Sequence, residues 1–123
     1  MRALVPTLLL LAACGTVDVQ VDTVPCEDVV PSDPAELYLE TDGADILAYR
    51  KPVIVGSADR FDPTFEFEGK ELHIYEAWAV GDPDDTVCRM PTLRLVAPPS
   101  GRWIFNWYAE SPSVPTHRED IEI

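Results

Sequence analysis

Thr64-Phe65-Glu66-Phe67-Glu68-Gly69-Lys70-Glu71-Leu72-His73-Ile74-Tyr75 reads as a β-hairpin, and its reading decides the fold class. Apolar and acidic residues alternate without a break through Phe65, Glu66, Phe67 and Glu68. That is the period of a strand with one dry face and one wet face. Glu68-Gly69-Lys70-Glu71 supplies the turn, with glycine where a positive φ is tolerated. Leu72-His73-Ile74-Tyr75-Glu76-Ala77-Trp78-Ala79-Val80 then returns as the partner strand.

The same period recurs on both sides of the hairpin. Val17, Val19 and Val21 alternate with polar residues, as a first strand or an extended tether would. Glu36-Leu37-Tyr38-Leu39-Glu40 precedes an Asp42-Gly43 turn, and Ile46-Leu47-Ala48-Tyr49 and Pro52-Val53-Ile54-Val55-Gly56 read as two further short strands. Downstream, Gly81-Asp82-Pro83-Asp84-Asp85-Thr86 is a loop of turn-formers, followed by Val87-Cys88 and by a strand over Thr92-Leu93-Arg94-Leu95-Val96-Ala97. Pro98-Pro99-Ser100-Gly101 turns the chain into Arg102-Trp103-Ile104-Phe105-Asn106-Trp107-Tyr108-Ala109, expected as a central strand. Pro112 and Pro115 interrupt the pattern, and Ile121-Glu122-Ile123 closes it as an edge strand or a tail.

About seven short strands with frequent turns, and no βαβ alternation, predict an all-β chain folded as a single antiparallel β-sandwich. The architecture is similar to the immunoglobulin-like sandwiches common in exported bacterial proteins. The Cys…Trp…Cys pattern of that class is met in part, because Trp78 lies between Cys26 and Cys88 but close to the second cysteine. The position of Trp78 therefore gives no support to an inter-sheet disulfide packed on tryptophan, the arrangement of that class.

Leu8-Leu9-Leu10-Leu11-Ala12-Ala13-Cys14-Gly15 ends an apolar run that begins at Ala3, after the single basic residue Arg2. A helix needs about 20 residues to span a bilayer, and this run is shorter. Its length fits the apolar core of a secretory signal. Leu11-Ala12-Ala13-Cys14 resembles the lipobox of bacterial lipoproteins. The resemblance implies cleavage before Cys14, a diacylglyceryl group on its sulfur and an acyl chain such as palmitate on the new amino terminus. Each buried CH₂ contributes about 0.8 kcal/mol, and one chain alone anchors only marginally. Gly15 follows the cysteine where inner-membrane lipoproteins often carry Asp, so an outer-membrane destination is favoured over the inner. The chain then divides into a signal peptide (1–13), a lipidated amino terminus with a Pro-rich tether or first strand (14–34), and the β-sandwich (35–123).

The chain carries 22 acidic residues against 9 basic, a formal charge of −13 that becomes −14 once Arg2 leaves with the signal. A nucleic-acid partner is excluded, because phosphate binding needs clustered Lys and Arg. A domain lying flat on anionic lipid is disfavoured for the same reason. The acid excess serves solubility and self-repulsion, with a cation or a basic partner as the competing reading. Lipidation of Cys14 leaves Cys26 and Cys88, and an even pair in a small exported domain is most simply a disulfide. A metal site built from both thiolates and His73 lacks C-x-x-C spacing and a fourth ligand.

No catalytic constellation stands out. Asp82, Asp84 and Asp85 are weak candidates for Ca²⁺, helped by Asp42 or Asp45, but calcium takes about six to eight oxygens and the loop lacks the EF-hand order. His73 shares a strand face with Tyr75 and Ala77 and reads as a surface or half-buried histidine rather than a base, while His117 sits in a Pro-rich stretch. Ser32, Ser57, Ser100, Ser111 and Ser113 lack nucleophile motifs. Trp103, Phe105 and Trp107 share one face and are expected in the core; a carbohydrate- or peptide-binding face using Trp103, Trp107 and Tyr108 is the competing reading. The expectation is a lipid-anchored envelope protein with a non-enzymatic binding or structural domain, no cofactor and an envelope protein as partner. Its rivals are a small envelope enzyme or enzyme inhibitor with an acidic face, and a calcium-stabilised adhesion domain.

Overall fold

Eleven strands run through residues 17–26, 37–81 and 85–123, the part of the chain that the computed structural model describes, and none of these residues is helical. They are β1 Asp18–Pro25, β2 Leu37–Asp42, β3 Asp45–Arg50, β4 Val53–Gly56, β5 Arg60–Phe61 and β6 Thr64–Glu68, followed by β7 Glu71–Tyr75, β8 Trp78–Ala79, β9 Thr86–Val96, β10 Arg102–Tyr108 and β11 His117–Glu122. The leader with Cys14, the Pro-rich residues 27–36, and Asp82 and Asp84 lie outside the described residues.

The first sheet runs β1-β9-β3-β2, and β4 continues the line of β3 along the same edge of β9. Ile46–Tyr49 pair with Thr92–Leu95, and Val53–Gly56 pair with Thr86–Arg89. Between these two ladders Arg50, Lys51 and Pro52 stand against only Met90 and Pro91. A proline offers no N–H to a ladder, and Pro91 sits where no partner on that side calls for one. The sequence suggests two segments around Pro91; the structure joins them into one eleven-residue strand. On its other edge β9 pairs with all of β1, so residues 18–25 are a strand of the sheet rather than a free tether.

The second sheet runs β11-β10-β7-β6. The β6–β7 hairpin forms in the expected register, with Glu68 opposite Glu71 and Gly69 at φ 59° in the turn. β10 lies parallel to β7, which corrects the expectation of a purely antiparallel sandwich. Parallel neighbours need a long crossover. Here the chain leaves β7, pairs β8 with β5, traverses the first sheet as β9 and re-enters the second sheet as β10. β11 pairs with β10 from Trp107 to Arg102, so the carboxy-terminal segment is a full strand rather than a tail. Its edge lies against β2, where the two sheets meet. The strands outnumber the seven expected because both ends of the domain, read as a strand or a tether and as a strand or a tail, are strands, and the two-residue β5–β8 ladder adds a pair.

The core is what period-two patterning dictates. Leu37, Ile46, Ala48, Leu93 and Leu95 from one sheet meet Leu72, Ile74, Trp103, Phe105 and Trp107 from the other, with Phe61 beside them. Phe61 stacks on Trp107 at 5.9 Å, and Phe67 meets Trp103 edge-on. Buried indoles must place their N–H groups. Trp103 donates to Pro99 O at 2.8 Å, while Trp107 and Trp78 both donate to Glu76, at 2.8 and 3.0 Å. Glu76 also accepts from Arg50 Nε at 2.7 Å, and its side chain is only 8% exposed. One carboxylate therefore joins β3 of the first sheet to β8 and to β10 of the second.

Cys26 and Cys88 are disulfide-bonded, with Cα atoms 5.6 Å apart. They continue the β1–β9 register one step beyond the Pro25–Arg89 pair. The expected disulfide is thus present, and it ties neighbouring strands of one sheet rather than joining two sheets in the immunoglobulin manner. Trp78 packs on Phe61 instead.

Two substitutions measure these ties. Replacing Cys26 and Cys88 together by Ala frees a loop of 62 residues. In denaturant unfolding this should lower stability by about 4 kcal/mol on the chain-entropy model. Glu76→Ala leaves Arg50 and two indole donors without their acceptor and should cost about 3–5 kcal/mol. A loss under about 1 kcal/mol for Glu76→Ala, the range of an exposed pair, would show that the carboxylate is not holding the sheets together.

Candidate functional site

Side chains that alternate with the core line the outer face of each sheet. On the second sheet the register sets Glu66, His73, Asn106 and Arg118 in one row across four strands. Glu68, Glu71 and Ile104 make the next row, and Thr64, Tyr75 and Tyr108 the row on the other side.

Bonds between these rows fix the polar groups. His73 Nδ1 is 2.7 Å from the Tyr108 hydroxyl, and Nε2 is 2.8 Å from Glu68 Oε1. Asn106 is wholly buried although it points away from the core. Its Nδ2 donates to Glu71 Oε2 at 2.8 Å, and its Oδ1 accepts from Arg118 at 2.9 Å. Both ends of the amide are satisfied, as burial of a polar group requires. Tyr75 and Tyr108 stack at 4.6 Å. Burial of the Tyr75 hydroxyl, with the Glu66 carboxylate beside it, holds its pKa above the ordinary phenol value.

The outer face of the first sheet is a shallow groove of about 300 Å³, lined among others by Gln20, Asp22, Val24, Tyr49, Thr92 and Arg94. Tyr38 and Tyr49 meet at its side with ring centres 6.0 Å apart. Arg94 is bound by both Asp42 and Asp45. Asp45 also accepts the Ala97 N–H at 2.8 Å, and that bond, with Arg94 second, lowers its pKa. The same bond holds Ala97 in the left-handed region at φ 46°, where a residue with a side chain is rarely found. Desolvation first, and then the 2.9 Å bond to Glu40, push the Tyr49 phenol up to about 12.

These placements sort the sequence candidates. Trp103, Phe105 and Trp107 are in the core, as expected, and Tyr108 faces the other way, so the three-aromatic binding face does not assemble. Cys26 and Cys88 are bridged and hold no metal with His73. Asp42 and Asp45 lie beside the carboxy-terminal end of β9, whereas Asp85 precedes its first residue. Eleven residues of strand at about 3.4 Å each separate them. The aspartates therefore cannot share one calcium ion with Asp85, whose Oδ1 accepts the Thr86 N–H. Ser111 and Ser113 bond each other at 3.1 Å. His117 opens β11 opposite Trp107.

Sequence reasoning overlooked the cluster of Glu68, Glu71 and His73. The signal was in the hairpin, because residues flanking a two-residue turn face each other and the residue two further on shares their side. The cluster lies on an open sheet face. A depression of about 140 Å³ lined by Tyr75, Tyr108 and the 109–112 loop is beside it but does not include His73. An imidazole between two carboxylates and a phenol can bind a cation or exchange a proton; neither of its ring nitrogens bonds a serine, threonine or cysteine nucleophile.

No protein-family model matches the chain, and no match to it was found among curated proteins or solved structures.

The tyrosine chemistry gives a test in alkali. A phenol with a raised folded pKa keeps its proton longer in the native state, so stability is full below about pH 10 and falls as pH rises towards about 12. Tyr49→Phe should flatten that alkaline loss in chemical denaturation, and an unchanged slope would remove Tyr49 as its source.

Proposed function

We propose that this chain is a lipid-anchored lipoprotein of the cell envelope whose β-sandwich is a non-enzymatic binding or structural module. The observation that carries the reading is the Cys26–Cys88 disulfide. Disulfides persist in oxidising, exported compartments. This one uses two of the three cysteines and leaves Cys14, the residue at the lipobox position, outside the bridge. Acyl chains on Cys14 would bring the outer membrane, favoured over the inner by Gly15, close to β1, which begins at Asp18. Four residues of chain reach at most about 14 Å, so the domain works near the bilayer without affinity of its own for anionic lipid.

The non-enzymatic part rests on where the chemistry sits. His73 is engaged by Tyr108 and Glu68 on an open face, and neither ring nitrogen bonds a serine, threonine or cysteine nucleophile. An envelope protein partner would meet the domain on an outer sheet face, and the groove beside Tyr49 and Arg94 lies on one of these.

The anchor is tested with Cys14→Ser. The unchanged chain should incorporate labelled palmitate and sediment with membranes, and the variant should lose the label and move to the soluble fraction. A variant that stays with the membrane to the same extent would refute lipidation at Cys14.

A further inference from the structure

We propose that Glu68, Glu71 and His73 form a binding site for one divalent transition-metal ion of the Zn²⁺ class. The site is distinct from the lipid anchor and from the groove on the first sheet.

All three side chains belong to one hairpin. Glu68 and Glu71 face each other across the Gly69-Lys70 turn, and His73 follows Glu71 on the same face. One ligand atom from each lies within 4.8 Å of the others. His73 Nε2 stands 2.8 Å from Glu68 and 3.9 Å from Glu71. Ligands about 2.0–2.2 Å from a tetrahedral zinc are about 3.4 Å from each other, a value between those two separations. The Glu68 side chain is 74% exposed and free to adjust, whereas that of His73 is 13% exposed and fixed.

Two features outside the donor atoms point to a cation. The first is the pairing itself. Two carboxylates directly opposite each other in a hairpin repel. The turn's own lysine does not lie between them; the Lys70 side chain lies over Gly101. The second is the support behind the donors. Tyr108 holds His73 Nδ1, which aims Nε2 at the two carboxylates. The wholly buried Asn106 holds Glu71 Oε2. Metal-binding imidazoles are oriented in this way through their second nitrogen, and ligating carboxylates are hydrogen-bonded in turn.

The charge suits a divalent ion. Glu66, Glu68 and Glu71 share the face with Arg118, which pairs with Glu71 at 3.2 Å. An imidazole nitrogen with two carboxylate oxygens selects a transition metal over calcium. In the bound form Nε2 gives its lone pair to the metal, and the ring proton sits on Nδ1, donated to the Tyr108 oxygen. Water completes the coordination.

The test uses the purified full chain carrying Cys14→Ser, with its disulfide intact, stripped by a chelator and titrated with ZnCl₂. This background keeps the result independent of lipidation. Calorimetry should find one ion per chain. Glu71→Gln and His73→Gln should each weaken binding at least about tenfold, while Glu66→Gln, the same charge change on the same face, should alter it by less than about twofold. Equal weakening by Glu66→Gln and Glu71→Gln, or no saturable single site, would overturn the proposal in favour of a diffuse acidic surface. Nitrogen NMR of the unmutated ring guards against variants that fail to fold. Zn²⁺ should shift His73 Nε2 and leave His117 in place, and a static His73 resonance would equally overturn the site.

Discussion

The two sheets depend on one carboxylate. Glu76 takes a guanidinium from β3 and two indole N–H groups, one from β8 and one from β10. An ion pair this sheltered gains little over apolar packing of the same shape, since desolvation offsets most of the attraction. Its value lies in direction. Trp107 and Trp78 can be buried only where their N–H groups meet an acceptor, and Glu76 places that acceptor at the point where the chain leaves the second sheet for the first. Phe61 then stacks on Trp107 and packs on Trp78, so a polar contact fixes the orientation of the aromatic core.

The remaining arginine pairs follow a common pattern on a more exposed level. Arg94 spans β9 and the β2–β3 turn, Arg102 reaches Asp120, and Arg118 reaches Glu71 and Asn106. Arg102 links neighbouring strands, Arg118 reaches across β10 to β7, and each of these exposed pairs contributes little in free energy because water screens it. With 22 acidic residues to 9 basic, the carboxylates outnumber the cations that could pair with them. Such a surplus of one sign favours repulsion between copies of the domain.

What the sequence reveals is what a single strand or turn determines. Phe65 and Phe67 against Glu66 and Glu68, the inward triplet of Trp103, Phe105 and Trp107, and the pairing of Cys26 with Cys88 can each be read from the residues themselves, and the structure agrees with all three. What it hides is set by strands far apart in the chain. The parallel pairing of β7 with β10 depends on a crossover through the other sheet, which no local period encodes. Pro91 looks like a break until Arg50-Lys51-Pro52 is seen to leave a gap opposite it. Glu76 reads as one more acid in an acidic chain; its role comes from Arg50, 26 residues earlier, and Trp107, 31 residues later. The cluster at His73 was readable in part: Glu68 and Glu71 are hairpin neighbours, but Tyr108 and Asn106, which orient the donors, arrive from β10.

The disulfide also decides how the domain bears tension. It sits at the far end of β1 from the amino terminus, one step past the last β1–β9 pair. A pull entering at the amino-terminal end can therefore peel away β1, breaking its ladder pair by pair, but only as far as Cys26. There the load passes through a covalent bond to Cys88 in β9, a strand flanked by β1 on one side and by β3 and β4 on the other. Peeling β1 releases eight residues of extra reach, and the sheet behind it keeps its remaining strands. The bridge turns the first strand into an extensible leash with a fixed stop.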